Sequence, residues 1–462
     1  MASTRARGVA IAALVAVVAF VAAFGLTRLA RDESTPLSAP PSRSPLPQAV
    51  GAATAAPAPG PTTTPGRAPT ARGVRHALAP VLAEPGFGGR LLARIVDAET
   101  GAVLYDHGGS VPAAPASTAK LLTAAAVLAV HAPSTRFTTR VLDAGAGTLV
   151  IVGGGDPTLS AAPQGSAPLY PGAGRMSELA AQVRKSGVPV RRIVVDGSLF
   201  AGPSVSPYWD PSDMGTGYGA PITAFLADGA RPSPRSNARS GVQPDIDAAK
   251  EFAALLGAKN LPISQGKAPA GAKQIGSVAS APLSELITQM LQESDNVIAD
   301  VLARQVALAE HVPASFSGAT AGIRTVLAGL GVQVGAGMKD GSGLSSADRV
   351  SPAALVGVLR LIAGATGPPA AAQLHFIASA LPVGGWSGTL SYRFTTGTLA
   401  AAAGRVRAKT GTLTSVSSLA GFVRDTSGRL LIFSLDADRA AGTLVADAAL
   451  DDVVGTLAAC GC

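Results

Sequence analysis

The stretch PASTAKLLTAAAVLAV, residues 115–130, puts a serine three positions before a lysine at the head of an alanine-rich apolar run. Lysine is scarce, with only eight among the 37 basic residues of the 462-residue chain. An apolar run of this length reads as a buried helix starting at Ser117. Positions i and i+3 of a helix share one face, about 5–6 Å apart, so Lys120 can reach the Ser117 hydroxyl. An amine buried among alanines and leucines loses charge stabilisation and moves toward the range of a general base. Taken alone, the pair also fits an N-cap serine beside a snorkelling lysine. The same spacing recurs at Ser264 and Lys267, but ISQGKAPAGAK carries Gly and Pro that forbid a stable helix.

Outward from this run the chain reads as mixed α/β. RLLARIVDAETGAVLYDHG, residues 90–108, is two strands around the turn at 98–101. TLVIVGGG and RRIVVDGSLF read as strands, and SELAAQVRKSG as a helix closed by glycine. Residues 198–234 are loop-like, and PDIDAAKEFAALLGAKN returns to helix. Residues 277–310 give a strand-like start and two helical segments broken near Ser294. VRAKTGTLTSVSSLAGFVRDTSGRLLIFSLDAD is a strand, a turn and a strand, followed by an apolar helix over 441–459. The strands at both ends are expected to share one antiparallel sheet, with the first and last helices packed on it.

Residues 8–26 are apolar, flanked by Arg5, Arg7, Arg28 and Arg31. At 1.5 Å per residue they span about 28 Å, roughly the hydrocarbon thickness of a bilayer. Residues 1–31 are therefore read as a signal anchor, with a cleaved signal peptide as the alternative. Residues 32–72, rich in Pro, Ala, Ser and Thr, read as a disordered spacer. Either reading exports the remainder. The net charge of +8 favours anionic surfaces, but the arginines are scattered and no basic run is interleaved with aromatics, so nucleic-acid binding has no support. Cys460 and Cys462 are the only cysteines; a mutual disulfide, free thiols or a bond to another chain all suit them, and they are too few for a metal site.

Two further stretches join the first. LQESDNVIAD carries Ser294-Asp295-Asn296, and RVRAKTGTLTSV carries Lys409-Thr410-Gly411-Thr412 entering a strand. Ser-x-x-Lys, Ser-x-Asn and Lys-Thr-Gly in this order form the signature set of penicillin-binding proteins and β-lactamases. The long chain between Ser117 and Ser294 resembles the D-alanyl-D-alanine carboxypeptidase/endopeptidase family, the class C low-molecular-mass penicillin-binding proteins. GGGDPTL (153–159), SDMGTGYGAP (212–221), DGSGLS (340–345) and GTLSYRF (388–394) look like that family too. The resemblance covers roughly residues 74–459.

The resemblance implies a transpeptidase-like domain over 73–139 and 275–462, interrupted by an inserted region over 140–274. It implies a serine peptidase of peptidoglycan stem peptides, needing no metal or cofactor and inhibited by β-lactams. Ser117 would be the nucleophile and Lys120 its base. Ser294 with Lys409 would relay the proton to the leaving amine, and Asn296 would hold the substrate amide and orient Lys120. The backbone N–H groups of Ser117 and Thr412 would form the oxyanion hole. Thr410, Gly411 and Thr412 would receive the substrate carboxylate. Asp213 would take a diaminopimelate ammonium, with Tyr218 as an aromatic wall. Many relatives have an arginine directly after DGSGLS; this chain has Ser346, with Arg349 nearby. GGGDPTL has a structural reading, as a turn after a strand, and His107, His131 and His375 read as solvated or packed. A compact β-lactamase, with the same motifs, and a non-catalytic penicillin-binding sensor or scaffold are the alternatives.

Overall fold

The computed structural model describes residues 68–462 apart from 233–235, 237, 240–241, 365–368 and 441. The expected anchor and nearly all of the spacer therefore lie outside the described residues. Among the described residues no helix is long and apolar enough to cross a membrane. The first helix, α1 (Ala71–Leu78), is capped by the Thr70 hydroxyl, which accepts from Gly73 N.

Among the described residues, ten strands form two sheets. In chain order they are β1 (Leu92–Asp97), β2 (Val103–His107), β3 (Thr138–Asp143), β4 (Thr148–Val152), β5 (Arg192–Asp196), β6 (Ile263–Gln265), β7 (Lys273–Ala279), β8 (Val406–Leu413), β9 (Val416–Arg424) and β10 (Leu430–Ala437). The first sheet has the order β2-β1-β10-β9-β8 and is antiparallel throughout. Strands from the two ends of the folded chain thus meet, with Leu92 opposite Asp436. The turn between β1 and β2 is wound on Asp97, whose Oδ1 accepts from the Glu99 and Thr100 N–H groups.

Both faces of this sheet are covered, so its central strands read as nearly continuous apolar runs rather than alternating ones. In β10, Leu431 and Phe433 face one core while Ile432 faces the other. The first core packs α2 (Lys120–Val130) against helices from the middle of the chain. The second packs α1 and the C-terminal helix (Thr443–Ala459).

The second sheet, β6-β5-β4-β3-β7, is mixed: β4, β5 and β6 run parallel, and β3 pairs antiparallel with β4 and β7. It has its own core with α3 (Met176–Ser186) and α4 (Pro244–Leu255). The false Ser264/Lys267 pair falls in and just beyond strand β6 rather than on a helix.

Four further helices carry or back the cleft: α5 (Leu283–Gln292), α6 (Asn296–Ala309), α7 (Phe316–Gly329) and α8 (Pro352–Ile362). The helix break expected near Ser294 is there, and Ser294 itself holds a left-handed φ of 57°. One expectation needs correcting. The helix does not begin at Ser117; residues Ala116–Ala119 form a 3₁₀ turn and α2 starts at Lys120. Ala116 has φ of 46°, and the Pro115 carbonyl is taken by the Thr118 and Ser418 hydroxyls, which holds the chain in a tighter turn. The two cysteines pair with each other.

Candidate active site

The 3₁₀ turn, the N-terminus of α6, strand β8 and the loop at 340–345 converge on one cleft of about 950 Å³. Gly411 makes the approach of β8 to the turn feasible, since a Cβ there would run into Ser418 Oγ and the Pro115 carbonyl. Gly343, at φ +77°, does the same for the loop, where a side chain would strike the Ala116 carbonyl.

Lys120 lies at the centre and is fully buried. Its Nζ donates to Ser117 Oγ at 2.8 Å, to Asn296 Oδ1 at 2.5 Å and to the Ser342 carbonyl at 2.8 Å. Burial pulls the amine down to about 8, against the attraction of Asp300, Asp340 and Asp295. Lys409, equally buried, donates to Ser294 Oγ at 2.9 Å and to the Thr410 carbonyl at 2.9 Å. Burial and then the charge of Lys120 hold it well below the usual lysine range. Ser117 and Ser294, two of the hydroxyls that line the cleft, therefore each touch a lysine whose proton is weakly held.

The other expected residues divide. Thr410 and Thr412 line the cleft, and the Thr410 hydroxyl donates to Thr389 Oγ1 at 2.7 Å. Gly411 is not among the lining residues; it serves the backbone approach. Asp213 and Tyr218 line the same cleft, with Ser346. Burial and the neighbouring Asp210 raise Asp213 above an ordinary carboxyl. Arg349 is committed to the Ser346 and Asp348 carbonyls. The GGGDPTL turn is structural: Asp156 accepts from Thr158, backbone and hydroxyl.

Several contributors escaped the sequence reading. Asp295 caps α6 by accepting from Val297 N and Ile298 N, and its other oxygen accepts from Tyr170 OH and Arg239 Nη2, both at 2.8 Å. Burial pushes that carboxyl up, but Arg239 and Arg231 overcome it and keep Asp295 ionised far below the usual range. Asp340 winds the loop that presents the Ser342 carbonyl; an Asp opening a Gly/Ser run was the available signal. Asp300, one turn after Asn296, accepts from Gly341 N at 2.7 Å and has its second oxygen buried without a hydrogen-bond partner. Burial and then the charge of Asp340 push it up to about 8.

A test of stability follows from Asp300. A carboxyl raised on folding contributes stability below its unfolded value of about 3.9 and loses it as the pH climbs through about 8. Asp300→Asn mimics the protonated acid and removes that loss. Its unfolding free energy should exceed wild type by about 1–3 kcal/mol at pH 8, with the gain vanishing near pH 4, in paired denaturant titrations.

An antiparallel sheet bearing a lysine on its edge strand, facing a serine-lysine pair on a helix start, defines the serine peptidases of transpeptidase-like fold. Sequence comparison makes the assignment specific. Residues 74–241 and 229–459 match the D-Ala-D-Ala carboxypeptidase 3 (S13) family, and the chain belongs to it as a serine-type carboxypeptidase. It is 42% identical to the carboxypeptidase DacB of Mycolicibacterium smegmatis, over 98% of this chain and 96% of that one. It is 40% identical to a carboxypeptidase of Mycobacterium tuberculosis, over 85% of each. The crystal structure of penicillin binding protein 4 from Haemophilus influenzae shares the fold, with TM-score 0.68 at 22% identity over 84% of this chain and 98% of that one.

Proposed function

We propose that this protein is an exported D,D-peptidase that removes the terminal D-Ala of peptidoglycan stem peptides through an ester on Ser117. The observation that carries this reading is the contact of the fully buried Lys120, through Nζ, with Ser117 Oγ at 2.8 Å. Once the lysine is neutral, the same contact runs the other way and the hydroxyl donates. Ser117 Oγ then bonds to the D-Ala carbonyl carbon as its proton passes to Lys120. The Ser117 and Thr412 N–H groups would hold the oxyanion, a contribution worth about 2.7–4 kcal/mol per donor. As the C–N bond breaks, Ser294 passes a proton to the leaving amine with Lys409 behind it. Water then hydrolyses the ester. Thr410 and Thr412 suit the carboxylate of the departing residue, and Asn296 the substrate amide.

The same step would open D-Ala–diaminopimelate cross-links, and the cleft volume, near the upper end for ligand pockets, suits a branched peptide. A β-lactam offers the same carbonyl and would remain on Ser117. Residues 1–31 would hold the domain at the membrane, a reading that rests on the apolar stretch 8–26.

Mass spectrometry after brief exposure to benzylpenicillin tests the core of this. The expected result is one adduct, on the peptide containing Ser117, together with D-Ala release from a pentapeptide muropeptide. No adduct and no release would overturn the reading. Rapid turnover of the drug would make it a β-lactamase, and labelling without peptide cleavage a sensor.

Asp213 is proposed to receive the ammonium of the third-residue side chain, beside Tyr218. Asp213→Asn should lower kcat/KM about tenfold for a peptide with that amine free, the loss of one charge-assisted hydrogen bond. The acetylated peptide should be unaffected, as measured by D-Ala release.

A further inference from the structure

Of the three partners of Lys120 Nζ, two are acceptors that one segment, residues 209–218, helps to fix. The first is Asn296 Oδ1. The other end of that amide, Nδ2, donates to the Tyr218 carbonyl at 3.1 Å, which decides which way the group points. The second is the Ser342 carbonyl. Its loop is wound on Asp340, which is fully buried and accepts from Ser342 N, Ser342 Oγ and Gly343 N through Oδ1, and from Ser345 N through Oδ2. Those four donors belong to the loop itself. The fifth comes from outside it: Trp209 Nε1 donates to Asp340 Oδ2 at 2.7 Å. The remaining ties of the loop, Asp300 and Thr123 on Gly341, come from the helices beneath.

The segment is not loosely hung. Trp209 meets Phe316 edge-on, with ring centroids 5.1 Å apart, and shares a small core with Ile222, Val297, Val301 and Leu344. Between Trp209 and Tyr218 lie Asp210 and Asp213, on the wall of the cleft. One short stretch therefore lines the site and also grips Lys120 from two sides.

We propose that segment 209–218 is a positioning device for Lys120. The Trp209–Asp340 bond and the Tyr218 carbonyl–Asn296 bond set the amine's acceptors, so that a substrate side chain seated against this segment changes the rate of acylation more than the affinity. Trp209 and Asp340 act through Lys120 and are positioning residues. The inference rests on the proposed function and names what in that site reads the side chain.

Trp209→Phe removes the N–H donor and keeps a ring against Phe316. Stopped-flow acylation by benzylpenicillin should be followed from pH 6 to 10, with rates expressed per labelled site so that misfolded protein does not count. The charged groups around Lys120 are Asp300, Asp340, Asp295, Arg239 and Lys409. Of these only Asp340 loses a partner. The saturating rate should fall about tenfold, the loss of one charge-assisted hydrogen bond, with the half-saturating concentration within about twofold. The pH midpoint should move upward, because a carboxylate with one donor fewer attracts the Lys120 proton more strongly. The kcat preference for a pentapeptide with a free third-residue amine over its acetylated twin should shrink as well. A variant with the wild-type rate and midpoint, or a loss confined to KM, overturns the inference while wild type is still labelled. A wild type that penicillin does not label overturns the proposed function and the inference together.

Discussion

Ser117→Ala is expected to lose penicillin labelling altogether and to lower D-Ala release by about 10³-fold or more, as removal of a nucleophile does in other serine peptidases. Nothing nearby can take over. Ser294, the other hydroxyl of the cleft held by a lysine, is committed to Lys409 rather than Lys120. The fold should be unharmed, because Ser117 sits on a 3₁₀ turn whose own ties run through Pro115 and Thr118. Unchanged melting with no adduct is the predicted pair of results. A persisting adduct on another serine would show that the nucleophile had been misassigned.

Lys120→Arg should cost nearly as much, for a different reason. Arginine stays charged at any accessible pH, so it keeps the attraction to Asp340 and Asp295 but cannot take the Ser117 proton. Loss of a general base typically costs about 10²–10⁴-fold. The wild-type rate should climb with pH as the ammonium deprotonates and flatten above about 8, the value to which burial pulls Lys120. The arginine variant should show no such limb. If it retained both rate and pH limb, another group would be the base. Acylation rates from pH 6 to 10 decide the matter.

Much of this arrangement is legible in the sequence. The β1–β2 hairpin follows from the Asp97–Gly101 turn chemistry, and the apolar runs of β9 and β10 from burial on both faces. Two of the three motifs lie in their expected settings, Ser294–Asn296 at the break between helices and Lys409–Thr412 on a strand, whereas Ser117 lies on a 3₁₀ turn ahead of its helix. What failed to show was non-local. The short strand β6 is stabilised by its parallel neighbour rather than by its own composition. The start of α2 is displaced by ties to Ser418, distant in sequence. Trp209 and Asp340 meet across the fold, and neither residue's neighbourhood announces the other. The described part of the Gly-, Pro- and Ser-rich stretch read as loop, residues 198–232, holds only the 3₁₀ turns Pro211–Asp213 and Asp228–Ala230, and it carries the cleft wall because connecting segments on a rigid scaffold are where recognition residues collect.

The pairing of β1 with β10 has a further consequence, for the timing of assembly. Leu92 lies opposite Asp436, and the carbonyl of Cys462 accepts from Thr70 N. The central sheet thus stays open until Leu430–Ala437 has been made, and contacts so distant in sequence form slowly. Lys409 enters with β8, 115 residues after its partner Ser294, whereas Ser117 lies in the early part of the chain. A chain interrupted before β10 has no working half, because that strand is what joins β1 to β9.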